Sequence, residues 1–236
     1  MRICGKIIVL FIALCVAMPT AFANNTSYAD ELFELNLFRG TENGYELQKT
    51  FTREEAATML VRLLGEEDGL SSSDYTQRFT DVEKDRWSYS YVMYCYENGI
   101  TKGTSGTTFT PEANISAQEF ITLVLRLLGY NEAEPENAFA DAVTYGLINS
   151  SIAKELQNKD EFLRDDMVYI VHRCLKTKSS DGTILARILA DKGVISDSEA
   201  DKFDFYSADK GIDEILDGLL NWKTGIKLIL SPNSCV

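Results

Sequence analysis

Histidine and basic charge are scarce in this sequence, and long apolar runs are missing beyond its first two dozen residues. The one histidine, His172, makes neither a metal-ligand set nor a Ser-His-Asp triad by itself. Lysine and arginine number 23 against 36 aspartates and glutamates, a formal net charge of −13, which argues against a nucleic-acid partner because phosphates need a basic face. No Gly-x-Ser-x-Gly elbow and no zinc spacing occur. No stretch of about 18 apolar residues follows the N-terminal region, so no membrane span is expected.

Residues 1–23 read as a signal peptide. Arg2 and Lys6 precede an apolar run from Ile7 to Ala17, and Ala21-Phe22-Ala23 supplies small residues for cleavage. Cys15 follows Leu14 inside the apolar run, which disfavours lipid anchoring. Loss of Arg2 and Lys6 takes the charge from −13 to −15, so any anion site must be local, built from individual arginines and helix ends. Beyond the leader stand Cys95, Cys174 and Cys235, an odd number without metal spacing. Cys95 and Cys174 read as buried free thiols, and a bridge between them stays open.

What is abundant is internal repetition. Three segments align on Arg53, Ala117 and Arg164, and each carries an apolar stripe at i, i+3, i+4, i+7, i+8 beginning three residues later. The stripes are Ala56, Met59, Leu60, Leu63, Leu64; Phe120, Leu123, Val124, Leu127, Leu128; and Met167, Ile170, Val171, Cys174, Leu175. That spacing is a helix with one buried face. Thr52-Arg53-Glu54-Glu55 and Ser116-Ala117-Gln118-Glu119 fit capping boxes, and Gly65 and Gly129 mark helix ends. Leu163 and Lys176 replace these signals in the third copy, so its start should be looser or capped from elsewhere in the chain. Upstream of each helix a shorter apolar segment runs into a turn, ending at Gly40, Gly103 and Ser150. Each unit is thus helix, turn, irregular loop, helix, and three such units must pack together to bury their faces. Glu66 to Asp74 and Asn131 to Asn137 read as linkers. Thr183 to Val194 reads as a closing helix, stopped by Gly193. A tail from about residue 200 holds an amphipathic stretch from Ile212 to Leu220 and a β-like run from Ile226 to Leu230.

The second unit resembles an S-layer homology repeat nearly end to end. Phe79-Thr80-Asp81-Val82, Trp87, Asn98-Gly99-Ile100-Thr101-Lys102-Gly103, Phe109-Thr110-Pro111, Ile115 to Phe120 and Leu127-Leu128-Gly129-Tyr130 follow the family order. Thr52-Arg53-Glu54-Glu55 resembles the family's Thr-Arg-Ala-Glu motif, and Leu163-Arg164-Asp165-Asp166 is a weaker form. The resemblance implies a mostly α fold, three helix-loop-helix repeats in a pseudo-threefold bundle. The units would be residues 24–70, 75–131 and 136–199, the last with the closing helix, followed by a short tail, 200–236. It also implies grooves that bind a secondary cell-wall polysaccharide linked to peptidoglycan, often carrying ketal pyruvate. The chain would then be secreted, wall- or S-layer-associated and held without a covalent bond, needing no cofactor and leaving self-association open.

Candidate ligand-binding residues are Arg53 above all, with Thr52, Glu54, Gly40, Arg164, Asp81, Trp87, Lys102, Gly103 and Gln118. A guanidinium at a helix N-terminus offers a carboxylate paired donors and the positive end of the dipole, which lysine matches less well. Gly40 and Gly103 would let a sugar ring approach the backbone, and Trp87 could stack on its face. Structural explanations stand beside each: caps for Thr52, Glu55, Ser116 and Glu119, an ordinary ion pair for Arg53, turns for the glycines, packing for Trp87 and its neighbouring tyrosines, a brace for Asp81. Two rival functions remain. One is a small wall hydrolase, disfavoured because only 38 residues follow Ser198, where the likeness ends. The other is an envelope adaptor with decayed grooves, suggested by Ala117, Ser150 and Leu163.

Overall fold

The computed structural model describes residues 25–208. The leader, the stretch from Ile212 to Leu220, the run from Ile226 to Leu230 and Cys235 lie outside them. Among the described residues the elements are α1 (Thr26–Glu34), α2 (Arg53–Leu63), α3 (Tyr89–Glu97), α4 (Ala117–Leu127), α5 (Ala138–Thr144), α6 (Ser150–Gln157), α7 (Arg164–Leu175), α8 (Leu185–Asp191) and α9 (Asp197–Ala208). Three single-turn 3-10 helices (Glu67–Gly69, Ser72–Asp74 and Pro135–Asn137) and isolated β-bridges accompany them, so the expected mostly α class holds.

The three striped segments become α2, α4 and α7, each beginning on its anchor residue. Both capping boxes form. Thr52 Oγ1 accepts from Glu55 N at 3.3 Å and Glu55 Oε2 from Thr52 N at 2.7 Å, while Ser116 and Glu119 repeat the pattern at 3.3 and 2.9 Å. Gly65 and Gly129 end their helices at φ +70° and +86°, a region costly for any side-chain-bearing residue. At α7 the half of the box that leucine permits survives: Asp166 Oδ2 accepts from Leu163 N at 3.0 Å. The rest of its cap is non-local, because Arg164 N and Asp165 N donate to the carbonyls of Lys49 and Leu47 at 2.8 and 2.9 Å.

A shorter helix covers each long one: α3 packs on α2, α5 on α4, and α1, from the opposite end of the described chain, on α7. The α1–α7 contact is specific. Asn25 donates to Asp165 through both its backbone and side chain, and Tyr28 stacks on His172 with centroids 4.1 Å apart. His172 is buried against Glu31 and the edge of Phe203, which fits the structural role read for it. At the centre Phe51, Phe120 and Phe162 meet pairwise at 5.4–5.5 Å, each pair contributing about 0.5–1.5 kcal/mol beyond its area. Cys95 and Cys174 are buried free thiols, both pushed up by burial.

Two helices depart from the sequence reading. The third loop is not irregular, because Asn149 caps α6 by accepting from Ile152 N at 2.9 Å, and Ser150 is its first residue. Helix α9 runs across residue 200, where the tail was placed, and buries Ala200 and Phe203.

Candidate functional site

The N-termini of α2, α4 and α7 gather where the loops preceding them cross, and the chain closes two of the three crossings. The first amides of α2, Arg53 N and Glu54 N, donate to Ala113 and Pro111 at 2.9 and 3.1 Å, and Thr52 bridges to Asn114. The first amides of α7 are held likewise by the loop before α2, where Thr50 bridges to Leu163. No backbone carbonyl of the described residues takes Ala117 N or Gln118 N at the start of α4.

The anchor side chains follow the same cycle. Arg53 Nε donates to Phe109 O at 2.8 Å, its Nη1 meets Glu119 Oε1 at 2.6 Å, and its guanidinium carbon lies 5.0 Å from the Phe109 ring centroid. Arg164 repeats this with Tyr45 O at 3.0 Å and the Phe38 ring at 5.7 Å, but its Nη1 stands 3.9 Å from Glu55 Oε1, beyond hydrogen-bond length. The capping-box acid of one long helix thus faces the anchor arginine of another, tightly in the first case and loosely in the second. In the third case Ala117 offers nothing, and Asp166 pairs instead with Lys159 from the preceding loop. Burial lowers the Arg53 guanidinium from its ordinary value, with Glu119 and Asp81 opposing the shift. Only 5% of its side chain is exposed, so its donors are directed inward.

Space opens beside Arg164. A pocket of about 170 Å³ is lined by Arg164, Gly40, Thr41, Glu55, Arg39 and Trp87, among others, with Trp87 56% exposed. Three residues from separate stretches of sequence, Gly40, Trp87 and Arg164, therefore share one site. A larger pocket of about 420 Å³ lies at the start of α4, where Gln118 and Ala117 meet Phe139, Leu156 and Lys159. Ala117 leaves there the room that an arginine fills in the other two crossings.

The remaining candidates are engaged within the protein. Thr52 caps α2. Glu54 is buried, chelated by Arg86 at 2.8 and 2.9 Å and by the Ser88 hydroxyl at 2.5 Å. Burial raises the Glu54 pKa, but the Arg86 and Ser88 hydrogen bonds more than offset it and hold the carboxyl below its usual range. Asp81 accepts from Phe109 N and Thr110 N at 2.9 and 2.7 Å, bracing the loop that receives Arg53. Lys102 pairs with Glu134, which also takes Arg126 at 2.8 Å.

Gly103 is required by the chain's own packing. At φ +81°, a Cβ there would fall 2.5 Å from both Thr108 O and Phe79 Cε1. We expect Gly103→Ala to cost about 2 kcal/mol in urea unfolding, since both strain and clash act on a braced loop. At Gly40 a Cβ would lie 2.8 Å from Gly44 O, so that glycine too packs against backbone while bordering the pocket. The acids Glu55 and Glu119 read from sequence as caps alone; their second role, facing an arginine of another helix, emerges only when that helix's N-terminus is brought alongside.

The S-layer homology domain model matches residues 78–121, which span the Asp81 brace, α3 and the start of α4. Residues 78–121 of the chain thus match an S-layer homology domain. It is 26% identical over 190 residues to the middle cell wall protein of Brevibacillus brevis, covering 70% of this chain and 18% of that one. It is 30% identical over 142 residues to the surface layer protein of Brevibacillus choshinensis, covering 55% and 13%. A 63-residue stretch is 35% identical to an endoglucanase of a Bacillus species, 27% of this chain and 7% of the enzyme. The chain spans less than a fifth of the length of each of these relatives. The matched S-layer homology domain and the wall and surface relatives indicate a secreted, wall-associated protein. No helix of the described residues is long and apolar enough to cross a membrane, and none of their acidic, histidine and cysteine side chains form a metal-binding group of three.

Proposed function

We propose that this chain anchors itself without a covalent bond to the bacterial wall by binding a carboxylate-bearing secondary wall polysaccharide in the groove of Arg164, Gly40 and Trp87. The observation that carries this reading is the contrast between the two arginines. Arg53 spends its donors on Phe109 O and Glu119, while Arg164 keeps its Nη1 3.9 Å from the nearest acid and lines an open pocket. A single carboxylate on a sugar, such as a pyruvate ketal, would complete the guanidinium with a paired, charge-assisted contact. The positive end of α7 favours the same charge. Trp87 gives the ring an apolar face within the same pocket.

The three units, residues 24–70, 75–131 and 136–199, serve in this reading as a scaffold whose crossings differ: the first arginine is structural, Ala117 stands in the second, and the third arginine is available. Names among the relatives support a wall role: two are a cell wall protein and a surface layer protein, and the endoglucanase shares only 7% of its own length. Binding without turnover is the activity proposed, so no clearing is expected on a wall zymogram.

The test is co-sedimentation of the protein with wall sacculi before and after extraction of the secondary polymer. Extraction should abolish pelleting, and equal pelleting afterwards would sink the reading. Arg164→Ala should weaken binding about a hundredfold, the loss of one bidentate charged contact, with unchanged circular dichroism.

A further inference from the structure

The pocket beside Arg164 does not end at Trp87. A second pocket of about 330 Å³ lies at the far end of α2, and Arg39 and Arg62 line both. The α2 residues facing the first pocket, Glu55, Thr58, Met59 and Arg62, follow helical spacing along one side, and Gly65 carries that side into the second. From Glu55 to Gly65 is ten residues, about 15 Å of helix at 1.5 Å each, longer than one pyranose ring. The far pocket is walled by Lys192, Gly193 and Val194 from the turn after α8, and Gly65 packs directly against Val194.

Its polar groups form a cluster of alternating sign. Arg39 Nη1 lies 3.0 Å from Glu67 Oε2, Arg62 Nε donates to Glu67 Oε1 at 2.9 Å, and Lys192 Nζ donates to Glu66 Oε1 at 2.8 Å. Arg39, Arg62 and Lys192 meet Glu66, Glu67 and Asp68 there, a locally balanced cluster in a chain of net charge −13. Guanidinium–carboxylate pairs exposed in a cleft present donors and acceptors side by side, which is what the hydroxyls of a sugar ring require, since each both donates and accepts.

We infer that α2 forms the floor of a continuous groove that holds at least two consecutive sugar units of one glycan chain. The carboxylate-bearing unit sits at Arg164, and the polyhydroxylated unit that follows it sits in the Arg39–Arg62–Lys192 pocket at the opposite end of the helix. The inference rests on the proposed Arg164 site and adds to it a direction, from the start of α2 toward the turn after α8, and a length requirement. Lys192 and Asp68 belong to the far pocket alone and are the residues that separate the two ends.

Titration calorimetry with wall-polymer fragments of one, two and three sugar units, all ending in the carboxylate-bearing unit, tests it on the full chain. Wild type should tighten at least tenfold from one unit to three. Lys192→Ala and Asp68→Ala should bind the one-unit fragment as wild type does and lose that tenfold gain, with little change in melting temperature because the Lys192–Glu66 pair is part-exposed and contributes little. Arg164→Ala should lose every length. Affinity that depends on Arg164 but not on fragment length would overturn the extended groove while sparing the first site. A gain with length that survives both far-pocket variants would also overturn it. No binding of any fragment by wild type would remove both readings together.

Discussion

Arg53→Ala is expected to destabilise the protein by about 2–3 kcal/mol, because it strips the buried Phe109 carbonyl of its partner and takes from the part-exposed Glu119 its charged contact, leaving that acid only its Ser116 bonds. The cavity left beside the Phe109 ring adds to the loss. Arg164→Ala should cost less, because its Nη1 has no acid within hydrogen-bond length, yet it should carry the larger loss of wall binding. Urea unfolding and sacculus pelleting of the two variants form a crossed design. If Arg53→Ala unfolds like wild type and fails to pellet, the assignment of roles to the two arginines is reversed.

Glu54→Ala is expected to cost about 3–5 kcal/mol, the range for removing one partner of a buried charge pair. Arg86 would lose its chelating carboxylate and keep only the exposed Glu112, 3.0 Å away. The pH dependence follows from the lowered Glu54 value. A carboxyl whose folded pKa lies below its unfolded one binds fewer protons when folded, so its stabilisation is complete above the ordinary carboxylate range. It disappears as pH falls through the lowered folded value. The midpoint of urea unfolding should therefore drop as the medium is acidified below about pH 4.5, near where an unperturbed glutamate titrates. Glu54→Gln, which cannot ionise, should flatten that part of the profile. An unchanged slope in the Gln variant would assign the acid sensitivity to other carboxylates.

These two arginines show where sequence reading stops. Each stands at the first position of a helix with an acid two residues further on, and each was legible as a candidate anchor from local motif alone. What separates them is the distance to an acid contributed by a different helix, 2.6 Å in one case and 3.9 Å in the other. No local pattern encodes that, because it depends on how neighbouring units dock. The starts of α2 and α4 were legible because stripe, cap and glycine stop agreed, and that of α7 because its stripe keeps the same register. Helix α6 was not, since its apolar positions, Ile152, Ala153 and Leu156, are too few to stand out over eight residues. Gly40 and Gly103 were seen as special positions, but the atoms that forbid a side chain there come from Gly44 and Thr108, backbone that only folding brings near.

The bonds from Asn25 to Asp165 join the start of the described chain to the residue next to Arg164. Pulling on residue 25 therefore loads the first turn of α7 in shear, one residue from the arginine that would hold the wall. Peeling α1 away would remove those bonds beside Arg164 while leaving the Phe51, Phe120 and Phe162 cluster in contact.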